Sequence, residues 1–180
     1  MTAADHSDDL ARRADALYAA RTAMAEATRP PRRLGIAELI QFLNEPGRAL
    51  TLEEQRALFA DPKLRADFRR LKAQATMFEL PALAAAGTGD VTARRFEGGS
   101  VTIHPSRVRG QIYVILRFPA SAGAPRTMLL ESTAGDLLKR ALPAADPNGE
   151  VMMVLDERSA ADAAFLRLLS DPTSTGTFVQ

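Results

Sequence analysis

The chain has 180 residues, of which 46% are hydrophobic and 25% charged, with no cysteine and a formal net charge of +1. That length suits one domain or two small ones with buried cores, and the near-neutral balance excludes a global basic field that would gather nucleic acid or anionic membrane. The missing cysteines exclude disulfides and thiol chemistry. With no basic or apolar leader at the start and no run of about 18 apolar residues, the chain is expected to be soluble and cytoplasmic.

Taken in order, the first residues are small and polar, and Asp8 to Ala27 then reads as an alanine-rich helix. Leu10, Leu17 and Met24 recur along it every seven residues. A stripe that narrow suits either a leg packed on its own domain or a partner-binding arm. Pro30 and Pro31 end it. Ile36, Leu39, Ile40 and Leu43 fit one face of a short helix, which a loop through Pro46 and Gly47 follows.

Thr51 and Glu54 have the spacing of a capping box, which predicts a helix from Leu52 to Ala60. Asp61 is a good N-cap, and Pro62 supplies the preset φ of a first helical position. The helix that follows carries Leu64, Phe68, Leu71, Ala75 and Phe78 on one stripe, with Arg65, Arg69, Arg70 and Lys72 mostly off it.

Leu80 to Gly99, rich in Pro, Ala and Gly, has the composition of an exposed connector, although Val91 to Phe96 also fits an edge strand. Inside it, Arg94 and Arg95 read either as solvated charge or as the target of an arginine-specific protease on a mobile loop.

From Ser100 the period shifts to two. Val101 and Ile103 alternate, and Ile112, Val114, Leu116 and Phe118 form one face of a strand. Its other face, Gln111, Tyr113, Ile115 and Arg117, is partly apolar, as suits a central strand. Thr127 to Leu130 is a further strand, and Asp136 to Leu142 satisfies either a helix or a strand. Asp146-Pro147-Asn148-Gly149 is a turn that delivers Val151 to Leu155, a continuous apolar run suited to a buried strand. Ser159 caps a helix bearing Phe165, Leu168 and Leu169, Asp171-Pro172 stops it, and Thr175 to Val179 returns as a last strand. The expected fold is α+β: a helical domain over residues 1–80, a linker over 81–99, and a mostly antiparallel, sandwich-like β domain with one helix over 100–180.

No reaction centre emerges. The histidines are His6, in the polar start, and His104, at a strand end, where a solvent-facing or structurally bonded role is favoured over a catalytic base. Asp156 and Glu157 are adjacent, so on a strand they point to opposite faces. Glu53 and Glu54 serve the start of a helix. Gly87-Thr-Gly89 lacks the further residues of a phosphate loop. No catalytic residue, metal-ligand set or cofactor is expected.

The segment Leu34 to Gln74, a short helix, a Pro-Gly loop, Leu-Thr-Leu-Glu-Glu-Gln opening a second helix and a last helix after a tight break, resembles the N-terminal helical domain of anti-sigma factors. The zinc-binding members of that family carry His-x3-Cys-x2-Cys, and those positions fall on Ala57, Asp61 and Leu64 in this chain. The resemblance is therefore to a zinc-less variant. It implies a regulatory protein that sequesters a sigma factor; burial of apolar helix faces makes Leu10, Leu17, Met24, Ile36, Leu39, Ile40 and Leu43 the candidate contacts, and the paired arginines Arg94 and Arg95 offer a release site to a regulatory protease. The alternative is an adaptor for a protease or effector system unrelated to transcription. A DNA-binding regulator is a third reading, opposed by the two-residue break between helices and by the lack of an aromatic platform.

Overall fold

The computed structural model describes residues 34–83, 91–119 and 123–180. All the described residues belong to one unit of the chain, Leu34–Gln180. It is a mixed α+β unit, with four helices and two antiparallel four-stranded sheets among those residues.

Three helices come first: α1 (Ile36–Asn44), α2 (Leu52–Ala60) and α3 (Pro62–Ala75). Local chemistry sets their starts. The Thr51 hydroxyl accepts from the Glu54 amide at 3.2 Å, and the Glu54 carboxylate accepts from the Thr51 amide at 2.8 Å, so the capping box forms as expected. Asp61 accepts from the amides of Lys63 and Leu64, and Pro62 opens α3.

The helix expected to reach Phe78 stops at Ala75. Thr76–Leu80 is β1, and it pairs with β8 (Thr175–Val179). Threonine and phenylalanine favour extended backbone, and Phe78 packs into the core as part of a strand.

One sheet has the order β1-β8-β5-β6, with β5 at Thr127–Glu131 and β6 at Leu137–Ala141. The segment whose period was ambiguous is thus a strand. Side chains cover this sheet on both faces. Leu129, Leu137 and Val179 meet Leu39, Phe42, Leu43, Leu58 and Phe68 from the helices, while Met128, Leu130 and Phe178 enter a second cluster. This double burial accounts for the unbroken apolar run in β5.

The second cluster is shared with the other sheet, ordered β2 (Ala93–Phe96), β3 (Gly99–Pro105), β4 (Gln111–Arg117) and β7 (Glu150–Asp156). Phe78, Phe96, Phe118 and Phe178 pack there with ring centroids 5.0–5.6 Å apart. The last helix, α4 (Ala160–Ser170), buries Phe165, Leu168 and Leu169 in the same cluster, as its pattern predicted.

Two expectations change. The connector over 81–99 does not part helices from strands, because β1 precedes it, β2 lies within it and the helices seal one face of a sheet. Of the proposed partner contacts on α1, Leu39 and Leu43 are buried in the core, whereas Ile36 and Ile40 are 44% and 41% exposed. Leu10, Leu17 and Met24 lie outside the described residues.

Candidate functional site

The outer face of the second sheet is built by strand register. Thr102, Ile115 and Met152 align across β3, β4 and β7, and His104, Tyr113 and Val154 form the next outward row. Their neighbours Val101, Val114, Leu116, Val151, Met153 and Leu155 point inward and are buried. Nothing among the described residues buries the outward rows fully: Met152 is 56% and Val154 50% exposed. Each forgoes roughly 1 kcal/mol or more of burial free energy. The run Val151 to Leu155 is therefore one-sided, not buried on both faces as its unbroken apolarity suggested.

Polar rows frame this apolar centre. On one side Ser100, Arg117 and Glu150 align, with Arg117 Nε 2.9 Å from Glu150 Oε2. On the other, Gln111 pairs with Asp156. β7 is also one of the two edge strands of its sheet, so the patch ends at a strand with no ladder partner on that side.

Arg94 and Arg95, read either as solvated charge on a linker or edge strand or as a protease target on a mobile loop, lie in the edge strand β2 and part ways. Arg95 is exposed, but Arg94 is only 2% exposed. Its Nη2 donates to the Pro81 and Ser174 carbonyls, both at 2.6 Å, and its Nη1 donates to Ser174 Oγ at 3.0 Å. Burial lowers the pKa of this guanidinium, and Asp171 opposes the shift. The pair thus lies on a strand paired with β3, with one arginine anchored, and not on a loop.

A second constellation lies where α2 and α3 meet the β5–β6 turn. They line an open cavity of about 580 Å³, with Arg56, Arg65 and Arg69 among its lining and Phe59 and Phe68 on its apolar side. Arg65 is half-buried, and its buried Nε has no hydrogen-bond partner. Leaving a buried donor unpaired costs about 1–3 kcal/mol. Arg56 and Arg69 are exposed, and Arg65 and Arg69 lie off the apolar stripe of α3 as its spacing predicted. The turn between β5 and β6 supplies the facing wall of the cavity.

Lys139 of β6 donates to the carbonyls of Phe42 and Glu45 at the end of α1, the latter at 2.6 Å, and sits 4.7 Å from the centre of the Phe42 ring. Burial pulls its pKa down to about 8, with Glu45 acting in the opposite direction and Arg48 in the same one. His104 is exposed at the end of β3. Ala57, Asp61 and Leu64, the positions matching the zinc ligands, are a helix residue, the N-cap of α3 and a half-buried core neighbour. No helix among the described residues is long and apolar enough to cross a membrane. No protein-family model, curated protein or solved structure matches the chain.

Proposed function

We propose that the protein works in the cytoplasm by holding another protein against its surface, not by transforming a ligand. The observation that carries this reading is the open face of β4 and β7, where Ile115, Met152, Tyr113 and Val154 form an apolar centre between polar rows. Protein interfaces have this anatomy, with an apolar middle that is desolvated on contact and a polar rim that sets register. Ile36 and Ile40 on α1 offer a second, smaller apolar patch. In this reading the two sheets are the layers of a sandwich, one layer sealed by helices and the other free to dock.

The partner class favoured by the resemblance of Leu34–Gln74 is a sigma factor, which makes the protein an anti-sigma-like inhibitor. An adaptor serving a protease or effector system is the alternative, and the same face would serve it. The test is a photo-crosslinking residue at position 154 of the full chain, expressed in the native host, with the product identified by mass spectrometry. A sigma factor crosslinked there, and lost when Met152→Glu is added, supports the inhibitor. Crosslinking to another protein with the same loss supports the adaptor. Equal crosslinking from a control position on the exposed side of α3, such as Ala73, removes the face from the argument.

A further inference from the structure

We propose that the cavity between α2, α3 and the β5–β6 turn is a binding site for a small organic anion, a molecule with a phosphate or carboxylate end and a flat apolar body. This inference is independent of the docking face, which lies on the other sheet.

The first support is charge that the fold leaves unanswered. Arg56, Arg65 and Arg69 line one cavity, and none of their guanidinium groups has an ion pair or hydrogen bond among the described residues. Nearby carboxylates are already engaged: Glu54 with Arg48 at 3.2 Å, Asp67 with Arg70 at 3.0 Å, and Glu131 with Lys72 at 2.8 Å. Asp136, also on the cavity wall, accepts from the Ser132 hydroxyl at 3.1 Å. With Lys72 balancing Glu131, the wall keeps an excess of positive charge. Guanidinium groups present planar forks that match phosphate and carboxylate oxygens, and Arg56 and Arg69 carry theirs on exposed side chains at the cavity wall.

The second support is shape. A volume of about 580 Å³ falls in the range that holds small molecules, roughly 300–1,000 Å³. The cavity is not lined by charge alone. Phe59 is half-buried, and the facing wall has Gly135, where a Cβ atom would lie 3.8 Å from the ring. Gly135 therefore lies close over that side of the ring. An anion held by the arginines would bring an attached apolar group to Leu52, Phe59 and Phe68 of the same lining, where apolar contact adds to the charge term. Ser132 and Thr133 supply hydroxyls at the rim.

The experiment is calorimetric titration of the full chain at low salt with three probes: pyrophosphate, adenosine triphosphate and citrate. The expected result is saturable one-to-one binding of at least one probe. Replacing Arg65→Gln together with Arg69→Gln should weaken it about tenfold or more, the scale of one lost charge-assisted hydrogen bond. Phe59→Leu should weaken adenosine triphosphate more than pyrophosphate. Preference for pyrophosphate and adenosine triphosphate assigns the anionic end as phosphate, and preference for citrate assigns carboxylate. If the first double variant fails to fold, Arg56→Gln with Arg69→Gln, both exposed side chains, gives the same reading. No saturable binding of any probe up to millimolar concentration overturns the proposal. So does binding that both arginine double variants leave unchanged, or a random DNA duplex that competes equally with every probe.

Discussion

Arg94 Nη2 lies 2.6 Å from the main-chain carbonyl oxygen of Ser174, so a guanidinium on one sheet holds the turn that feeds the central strand of the other. The same group reaches the Pro81 carbonyl just after β1. Replacing Arg94→Met should cost about 3 kcal/mol in urea unfolding, because buried carbonyls lose their donors. Arg94→Lys should rescue little, since an ammonium cannot fork between the same acceptors. Trypsin should cut at Arg94 or Arg95 only at a rate that follows global unfolding. Rapid cleavage without denaturant would contradict the anchored strand.

Gly99 offers a sharper steric test. A Cβ there would lie 2.2 Å from the Phe96 ring and 2.4 Å from the Arg117 carbonyl oxygen, inside any permitted contact. Gly99→Ala should therefore destabilise by about 2 kcal/mol or more, since the ring and the β2–β3 turn must move together. Gly47→Ala, with nothing within 4 Å of the added atom, is the matched control and should change stability by under about 0.5 kcal/mol. Thermal unfolding of both variants decides it.

The four branched residues of α1 divide by face, and stability should divide with them. Leu39→Ala and Leu43→Ala remove buried side chains and should each cost about 2–5 kcal/mol. Ile36→Ala and Ile40→Ala, 44% and 41% exposed, should cost under about 1 kcal/mol. If all four variants unfold at the same urea concentration, the packing of α1 on the sheet is wrong.

Lys139 predicts a stability change at alkaline pH. Its folded pKa is pulled to about 8 from 10.5 by burial, so the unfolded chain binds the proton more tightly. Below about pH 8 both states are charged and the burial penalty is carried in full. Between about 8 and 10.5 the folded state loses the proton first, and stability should rise with pH. Lys139→Met should flatten that rise in the difference between the two proteins. A resonance of the Lys139 side chain titrating near 10.5 would remove the basis of the prediction.

Much of the local architecture was legible from residues a few positions apart. The capping box at Thr51, the Asp61-Pro62 break, the Ser159 cap and the alternation in β4 all depend on neighbours along the chain, and all stand where their chemistry puts them. What the sequence could not decide was which surface meets which. Phe78 continues a helical stripe by spacing, yet lies in a strand because β8 pairs beside it. Arg94 and Arg95 look alike on paper, but pairing with β3 sends one inward and the other out. Val151 to Leu155 reads as fully buried until the sheet closes on one side alone. The three arginines around the cavity likewise face a wall supplied by a turn more than sixty residues from Arg69. Caps and turns are decided by short-range hydrogen bonds, whereas faces, layers and cavities depend on long-range burial that the local pattern does not encode.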